Sequence, residues 1–476
     1  MNICVWDLES LGSDTGHSSI CEFAAVLLSD DFQELDRIEM RCRIPEGEIP
    51  QCGALLTNRS SIKMLTSANL SHYQLISEIE KTFSRWSPCI FIAYSGINFD
   101  EEMLRKEFFK GIRDPYLTTK KNNKRHDALN ILRATYAVNN KIFKTELNKK
   151  GNVLMKLESL SRLNGLDSTK SHRAIYDVLH CKFFLEKVYK EQPNTWKSSL
   201  MTASKESTEN LVRKEEMLTA IEYYYGKERI HLCSPLHQDF LHHPVYKGWL
   251  QAVDLRADIK SLINLPVSEL KIEMKKTPKF LRTIRSNKAP VILHADFAMK
   301  KEPYNIIKPS LLKERAKLAK DKTFAEKISI ILRENAEEKQ QTSNQSDIDA
   351  VDSIYKKFTD SKDTALFPKW HQSSWKEKLQ LLDRFEDDRL VGFGKKLIYQ
   401  EAPEILPESI KKEVMSDIAR RILSDKKEKW WTVKEFYNEC DNYRQKFSEE
   451  NDEEKVKFLN ELNDYVEGVE KKYQNV

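Results

Sequence analysis

The first ten residues, Met1-Asn-Ile-Cys-Val-Trp-Asp-Leu-Glu-Ser10, run from an apolar segment directly into two acids one residue apart. Alternate side chains of a strand share a face, so Ile3, Val5, Asp7 and Glu9 are predicted to lie on one side of a first strand. Charges beside an apolar face need compensation, and a divalent cation held by oxygen ligands supplies it. The alternative is that the strand has already ended and that both acids are solvated loop residues.

Length and composition indicate a multidomain globular chain. Its 476 residues are too many for one compact core and predict two to four domains. Hydrophobic residues make up 40% of the chain, which excludes an intrinsically disordered protein. There are 78 basic and 73 acidic residues and the net charge is only +5, so any binding of nucleic acid must come from local basic patches.

The cysteine pattern and the lack of long apolar runs bear on the compartment. The eight cysteines include no C-x-x-C pair, and several lie in apolar stretches, which predicts buried thiols in a reducing compartment. The N-terminus lacks the basic and apolar regions of a signal peptide. No apolar run approaches the roughly 18 residues of a membrane span. We therefore expect a cytoplasmic protein without a membrane partner.

Hydrophobic periodicity predicts a mixed α/β sheet for the first part of the chain. After the first strand, further strands are predicted at residues 20–28, 38–44 and 89–94. Helices are predicted at residues 73–86, 99–110 and 174–190, and a shorter helix is predicted to end at Gly165. Together these elements predict a first domain that spans residues 1–188.

Two polar stretches divide the rest of the chain. Residues 193–208 are rich in serine and threonine and predict a domain boundary, whereas residues 337–346 are polar throughout and predict a linker. Short apolar runs alternate with loops between these stretches, and the pattern beyond them is helical and densely charged. We expect two further domains, at residues 200–336 and 350–476.

Two later motifs add acids to the first pair. In Tyr94-Ser-Gly-Ile-Asn-Phe-Asp100, the acid opens a helix directly after a buried strand, where the alternative is that it only complements the helix N-terminus. In His172-Arg-Ala-Ile-Tyr-Asp177, a histidine and an acid open a late helix, where the alternative is a polar first turn. The ordered set D-x-E, N-x-D and H-x-x-x-x-D, each on the expected element, is far more specific than its parts.

This motif set resembles that of the DEDD exonucleases, in the version that carries a histidine. Phosphodiester hydrolysis places charge on both sides of phosphorus, and two Mg²⁺ ions about 3.5–4 Å apart stabilise it, with Mn²⁺ able to replace them. Asp7 is expected to bridge both ions, Glu9 and Asp177 to complete one ligand set, and Asp100 to act through water. His172 is expected to take the proton of the attacking water.

The resemblance extends to the bacterial exodeoxyribonuclease I family over nearly the whole chain. It rests on Gly53-Ala54, Asp114-Pro-Tyr116, residues 253–263 and residues 288–296, and it weakens towards the C-terminus. The family implies an RNase H-like exonuclease domain, an SH3-like α+β domain and an all-helical C-terminal domain. It also implies 3′ to 5′ removal of mononucleotides from single-stranded DNA in DNA repair and recombination.

The same resemblance implies contacts with the DNA strand. Arg105, Tyr116 and Arg133 match family residues that touch DNA, and Glu9 also touches the substrate. The alternative for Arg105 is a solvated basic helix face. Lys156 stands where the family usually has an arginine, so a bidentate phosphate contact becomes a point charge.

Other positions are less decisive. Ser10 replaces the usual threonine and Ser95-Gly96 replaces an Asn-Asn pair, and both departures bear on how the 3′ end is positioned. The basic run 120–125 could follow the DNA backbone, although such a run is more often a solvated loop. Trp430 and Trp431 could stack on bases, but their predicted helical spacing favours core packing.

Two other functions stay open at this stage. One is an oligoribonuclease or a proofreading-type exonuclease with the same catalytic set, against which the long chain after the nuclease domain counts. The other is a catalytically silent protein that binds single-stranded DNA, against which the presence of all five site residues counts. The family also implies docking onto the C-terminal tail of single-strand-binding protein, and we expect a monomer.

Overall fold

The computed structural model describes residues 1–224, 226–342 and 348–476. The first sheet consists of β1 (Asn2–Ser10), β2 (Ile20–Leu28), β3 (Glu34–Arg41), β4 (Cys89–Ala93) and β5 (Lys124–Asp127). Its order is β3-β2-β1-β4-β5, with β1 antiparallel to β2 and parallel to β4, and with β4 parallel to β5. A two-stranded hairpin of β6 (Glu146–Leu147) and β7 (Val153–Leu154) follows. The mixed sheet confirms the predicted fold class.

Helices cover both faces of this sheet. The helices of the first part are α1 (Cys52–Asn58), α2 (Ile62–Thr66), α3 (His72–Trp86), α4 (Asp100–Lys110), α5 (Ala128–Val138), α6 (Leu157–Leu163), α7 (Ala174–Glu191), α8 (Pro193–Leu200) and α9 (Lys205–Lys214), of which α1 and α2 pack in the C-terminal core and α9 packs against the second sheet. One core lies between the sheet and α5, α7 and α8, and another lies between the sheet and α3 and α4. The helices predicted at 73–86, 99–110 and 174–190 are confirmed, and Gly165 follows α6 with a φ of +84°, as a glycine after a helix end does.

Strand β1 has the alternation that its sequence predicts. Ile3 and Val5 face the core beneath α5 and α7, whereas Cys4 and Trp6 face the core beneath α3. The strand continues to Ser10. The two acids therefore belong to the strand, and the loop alternative is wrong.

The third strand is displaced from its predicted range. It spans Glu34–Arg41, and its pairing with β2 runs from Glu34 opposite Leu28 to Arg41 opposite Glu22. Cys42 then leaves the sheet to bridge with Leu70. The prediction of 38–44 was wrong at both ends because alternation of side chains cannot show where the partner strand stops.

A second, antiparallel sheet follows in the order β11-β10-β9-β8-β12. Its strands are β8 (Leu218–Tyr224), β9 (Lys227–Pro235), β10 (Trp249–Asp254), β11 (Leu281–Arg285) and β12 (Val291–His294). Its helices are α10 (Ile259–Ile263), α11 (Val267–Glu273), α12 (Ala295–Met299), α13 (Pro309–Ala319) and α14 (Lys322–Thr342). The SH3-like character of this part stays a prediction.

The polar stretches predicted at the domain limits are partly helical. Residues 193–208 form α8 and the start of α9. Trp196 of α8 packs on Phe32 with 5.4 Å between the ring centres, so α8 belongs to the core of the first part and not to a linker. The predicted linker 337–346 is helical as far as Thr342, and the rest of it lies outside the described residues.

The C-terminal part is helical, as predicted. It contains α15 (Ser361–Gln372), α16 (Trp375–Leu381), α17 (Asp388–Glu401), α18 (Glu408–Ile422), α19 (Val433–Glu449) and α20 (Glu453–Tyr473). Its core also includes Leu11, Leu55 and Phe109 from the first part of the chain. The C-terminal helices are therefore packed directly against the first part of the chain.

Two predictions from composition can be compared with the structure. All eight cysteines are free and buried, which confirms the predicted buried thiols. Within the described ranges, no helix combines the length and the apolar character needed to cross a membrane.

Candidate active site

Strand β1 passes beneath the first turn of α7, and three carboxylates meet there. One carboxylate oxygen from each of Asp7, Glu9 and Asp177 lies within 4.8 Å of the other two. Asp7 and Glu9 are on the face of β1 that α7 covers, and Asp177 lies in the first turn of that helix. The structure thus brings together the acids of the first and last predicted motifs.

Asp100 adds a fourth acid to this cluster. It is the first residue of α4, which follows β4 after the turn at residues 94–99, and only 6% of it is exposed. Burial raises the pKa of Asp100 to about 7, although a hydrogen bond from the Leu8 backbone favours the charged form. Burial, followed by repulsion from the other three acids, raises the pKa of Asp7 well above its usual range. The four carboxylates therefore lie close enough to repel one another.

The donor set fits a divalent cation. Burial raises the pKa of Asp177 to about 6, and burial followed by repulsion from Asp177 raises that of Glu9. Oδ1 of Asp177 is buried and has no hydrogen-bond partner among the described residues. Like charges in such a site are costly without a counterion, and carboxylate oxygens are the ligands that hard divalent ions prefer. A metal ion held by these acids removes both the repulsion and the unpartnered oxygen.

His172 stands at the edge of this cluster. It adopts left-handed backbone with a φ of 64°, a conformation that a non-glycine residue keeps only where its surroundings hold it. Its backbone N–H donates to Oδ2 of Asp177 at 3.3 Å. Nε2 of the imidazole lies 3.5 Å from Oε2 of Glu158, and 39% of the side chain is exposed. A substrate can therefore reach the ring from solvent.

The sequence analysis missed two acids that position these groups. Glu22 lies opposite Glu9 on β2 and accepts hydrogen bonds from the Ala174 backbone at 3.1 Å and from Nε of Arg173 at 3.0 Å. It thereby fixes the start of α7. A signal was present, because Glu22 is the one charged residue of the otherwise apolar strand Ile20–Leu28. Glu158, which faces His172, left no comparable signal.

Arg105 and Tyr116, both predicted to contact DNA, lie next to each other. The Arg105 guanidinium is 5.2 Å from the centre of the Tyr116 ring and pairs with Glu101 at 3.0 Å. Only 8% of Arg105 is exposed, so the alternative of a solvated helix face is wrong. The Tyr116 hydroxyl is buried and has no hydrogen-bond partner among the described residues.

The other two predicted DNA contacts differ in their surroundings. The Arg133 guanidinium lies 4.3 Å from the centre of the Tyr223 ring, which joins α5 to β8 across the boundary between the first two parts. Lys156 is exposed at the start of α6. The DNA contacts of these side chains stay predictions.

The departures from the family pattern have local structural reasons. A Cβ atom on Gly96 would lie 2.4 Å from that of Ala93, so the tight turn after β4 needs glycine there. Ser95 is left-handed with a φ of 60°, and its N–H donates to Asp127 at 3.1 Å. The Ser10 hydroxyl donates to the Gly12 carbonyl at 2.7 Å.

The two aromatic residues singled out near the C-terminus pack as predicted, although not within a helix. Trp430 and Trp431 precede α19. Nε1 of Trp430 donates to the Arg421 carbonyl at 2.8 Å, and Trp431 packs against the C-terminal core. Base stacking is therefore not needed to explain either residue.

Two family models match the chain. A model described as an exonuclease matches residues 4–185, and a model described as the exonuclease I C-terminal domain matches residues 346–469. An exodeoxyribonuclease I from Buchnera aphidicola is 25% identical over 374 residues, which is 76% of this chain and 88% of that relative. The exodeoxyribonuclease I of Escherichia coli is 24% identical over 304 residues, which is 61% of this chain and 63% of that relative.

Solved structures share the complete fold. An exonuclease I from Methylocaldum szegediense has a TM-score of 0.81 at 19% identity and covers 98% of this chain and 99% of its own. E. coli exonuclease I in complex with a dA16 oligonucleotide has a TM-score of 0.79 at 20% identity, with the same coverage of 98% and 99%. The likeness therefore includes the central and C-terminal parts as well as the nuclease part.

Proposed function

We propose that this chain, which belongs to the bacterial exodeoxyribonuclease I family, removes mononucleotides from the 3′ end of single-stranded DNA by two-metal-ion hydrolysis. The observation that carries this proposal is the cluster of Asp7, Glu9, Asp100 and Asp177. Asp100 is buried and the other three are half-buried, and four carboxylates that repel one another in such a site are costly unless cations occupy it. A role in DNA repair and recombination follows from the family.

The side chains have distinct parts in this reaction. Magnesium is the proposed ion, with manganese able to replace it, and two bound ions would stabilise charge on the attacking and leaving oxygens. Asp7, which the other three acids repel, would be one of the ligands that hold the ions. His172 accepts the proton of the attacking water, and Glu158 orients the imidazole from 3.5 Å away. Arg105, Tyr116, Arg133 and Lys156 hold the strand.

Incubation of the protein with a 5′-labelled 20-mer and Mg²⁺ tests the proposal. We expect a ladder that shortens from the 3′ end, and no cleavage in EDTA. Tight binding without cleavage would identify a silent DNA-binding protein instead. Faster cleavage of an RNA 20-mer than of the DNA would favour an oligoribonuclease. The match to the exonuclease I structures covers 98% of this chain, including the parts after the first sheet. This extent counts against an oligoribonuclease and against a proofreading subunit.

Partners follow from the same family. One structural neighbour, with a TM-score of 0.77, is a complex of exonuclease I with SSB-Ct. We propose that this chain likewise binds the C-terminal tail of single-strand-binding protein, that it acts as a monomer in the cytoplasm, and that its domains span residues 1–188, 200–336 and 350–476. Fluorescence anisotropy with a labelled tail peptide and light scattering of the protein alone test the first two points.

A further inference from the structure

Two cysteines from distant parts of the sequence meet where the C-terminal helices pack against the first part of the chain. Cys52 is the first residue of α1, and Cys440 lies near the middle of α19. Both side chains are fully buried and belong to the C-terminal core. The two thiols share a hydrogen bond, and we call these two residues the thiol pair.

The backbone around the thiol pair is fixed by contacts between α1 and α19. Oε2 of Glu439, the residue before Cys440, accepts a hydrogen bond from the Cys52 backbone N–H at 2.8 Å. Oε1 of Glu439 accepts one from the Gly53 backbone N–H at 3.3 Å. A Cβ atom on Gly53 would lie 3.0 Å from the Tyr443 hydroxyl oxygen, one helical turn further along α19. The start of α1 therefore lies directly on one face of α19, and the contact between the two thiols is part of that packing.

The two thiols of the pair differ in acidity. The hydrogen bond with Cys440, followed by burial, raises the pKa of the Cys52 thiol, so Cys52 keeps its proton and donates it. The hydrogen bond from Cys52 lowers the pKa of the Cys440 thiol, and the Arg444 guanidinium lowers it further against the effect of burial. Nη2 of Arg444 donates to the Cys440 sulfur at 3.6 Å. Because the thiolate is the nucleophilic form of cysteine, Cys440 is the reactive member of the pair.

Arg444 also relates the thiol pair to the surface of the molecule. Its side chain is 33% exposed and pairs with the exposed Asp441 at 2.7 Å. The Cys440 sulfur is thus separated from solvent by one side chain, although the cysteine itself is buried. Exposed side chains change rotamer within nanoseconds, so a reagent of nearly the size of water can reach this sulfur.

A second pair of cysteines, in the first sheet, has a different environment. Cys4 of β1 shares a hydrogen bond with Cys89 of β4, and both lie in the core beneath α3. Burial, followed by that hydrogen bond, raises the pKa of Cys4 well above its usual range. Cys4 therefore stays protonated, and a protonated thiol is a poor nucleophile. This pair provides a reference for the reactivity of two neighbouring buried thiols that no arginine activates in this way.

We propose that the thiol pair is a redox modification site, at which hydrogen peroxide converts Cys52 and Cys440 into a reversible disulfide. The Cys440 thiolate attacks one oxygen of the peroxide and the O–O bond breaks, which gives a sulfenic acid and a hydroxide ion. The hydroxide takes up the proton that Cys440 has released. The Cys52 sulfur then attacks the sulfenic sulfur, the S–S bond forms as the S–O bond breaks, and the Cys52 proton leaves with the hydroxyl group as water. In sum, two thiols are oxidised to one disulfide while one peroxide is reduced to two water molecules.

The disulfide joins α19 to the segment that follows β1. The Gln51 backbone N–H, next to Cys52, donates to the Leu11 carbonyl at 2.8 Å. At the other end of α1, Nδ2 of Asn58 donates to the Ser10 carbonyl at 3.0 Å. A cross-link between residues so far apart in the sequence restricts the unfolded chain strongly and holds the C-terminal helices on the first part. In a reducing compartment such a bond is transient, as redox-sensing disulfides are.

Peptide mapping by mass spectrometry tests the site on the complete protein. The reduced protein is treated with hydrogen peroxide, the remaining thiols are alkylated, and trypsin digestion follows without reductant. Trypsin places Cys52 in the peptide 44–59. It places Cys440 in the peptide 435–444, and neither peptide contains another cysteine. We expect these peptides to be linked with the loss of two hydrogen atoms, and dithiothreitol to separate them. Cys440→Ser should abolish the link, whereas the control Cys233→Ser, at a buried thiol of the second sheet, should keep it.

Thermal unfolding measures the effect of the bond on the molecule. The oxidised protein should melt about 5 °C above the reduced protein, because the cross-link restricts the unfolded chain. This shift should be absent in Cys440→Ser and in Cys52→Ser, and it should persist in Cys233→Ser. An oxidised protein that is linked but melts with the reduced protein would overturn the proposal that the bond holds the C-terminal helices.

Three mapping results would overturn the modification site itself, and they need only the unmodified protein. One is equal alkylation of the thiol pair before and after peroxide. Another is conversion of Cys440 to a sulfinic acid without a link to Cys52. The third is a link between Cys4 and Cys89 at a lower peroxide concentration than any link within the thiol pair. None of these measurements involves DNA, so the modification site and the proposed nuclease activity succeed or fail independently.

Discussion

Asp100 has a pKa of about 7 because it is buried among other acids. An acid whose folded pKa exceeds its usual value, about 3.9, destabilises the folded protein as the pH rises between those two values. The metal-free protein should therefore lose stability from about pH 4 to about pH 7. A bound cation reverses this trend because it prefers the charged form of the carboxylates.

Asp100→Asn removes this ionisation while it keeps the shape of the side chain. We expect the variant to melt several degrees above the unmodified protein at pH 8 in EDTA, and to lose most of that advantage at pH 4. In saturating Mg²⁺ the order at pH 8 should reverse. Differential scanning calorimetry under the three conditions checks this, and a lower Tm of the variant in EDTA at pH 8 would contradict it.

Removal of one acid from the centre of the cluster should abolish cleavage. Asp7→Ala should lower the single-turnover rate at least about a thousandfold, because stabilisation by a metal ion is worth several kcal/mol and each 1.36 kcal/mol is about tenfold. Binding of dT20 in EDTA should change little, since Asp7 is a proposed metal ligand and is not one of the predicted DNA contacts. Asp30→Ala, at an exposed turn, is the matched control. Cleavage by purified Asp7→Ala at the control rate would refute the site.

His172 should contribute as a proton acceptor and not as a metal ligand. Loss of a positioned general base usually costs roughly two to four orders of magnitude, which we expect for His172→Ala in single-turnover cleavage. Mg²⁺ affinity, measured by calorimetry, should survive. A single-turnover rate equal to that of the unmodified protein would reduce His172 to a helix-start residue.

The first turn of α7 is the element that assembles the site. It carries Asp177, it follows His172 directly, and it is fixed by Glu22 through the Ala174 backbone and the Arg173 side chain. Glu22 also pairs with Arg41, so one carboxylate that is 1% exposed joins β2, β3 and α7. The geometry of the catalytic groups thus depends on an ion pair outside the cluster.

Glu22→Ala should therefore affect both stability and activity. It leaves Arg41 and the Ala174 backbone N–H without this partner and Arg173 with only Glu39, which typically costs about 1–3 kcal/mol of unfolding free energy. Cleavage should fall as well, because the start of α7 loses its anchor. Glu39→Gln is the control, since Glu39 is 45% exposed and its contact with Arg173 should contribute at most about 1 kcal/mol. Equal urea midpoints for the two variants would contradict this assignment.

Two further parts of the chain, the second sheet and the C-terminal helices, pack against the part that carries the acidic cluster. The second sheet meets it at the Arg133–Tyr223 contact and at the Arg125–Asn287 hydrogen bond. The C-terminal helices share a core with α1 and α4. This arrangement is expected to enclose one DNA chain and not a duplex.

Digestion should accordingly depend on strandedness. A 3′ single-stranded tail should be removed and the enzyme should then stall at the duplex junction, whereas a blunt duplex should be degraded at least about a hundredfold more slowly. Parallel time courses with 5′-labelled tailed, blunt and single-stranded substrates measure this. Equal rates on the blunt duplex and the single strand would show that the additional domains do not restrict access.

Much of the catalytic centre could be predicted from local sequence. Asp7 and Glu9 share a face because successive side chains of a strand point to opposite faces. Asp100 and Asp177 lie in the first turns of helices, and the residues next to them in the sequence predict where those helices begin. These features depend on neighbours within a few residues, so the sequence by itself determined the acidic set, the mixed sheet and the helical C-terminal part.

Only the tertiary structure decided the rest. The end of β3 depends on where β2 stops, the anchoring of α7 depends on Glu22 from another strand, and the contact of Arg133 with Tyr223 joins α5 to the second sheet. Contacts between residues far apart in the chain leave no periodic trace in either segment. Their energies come from burial and charge pairing that exist only after the segments have packed together.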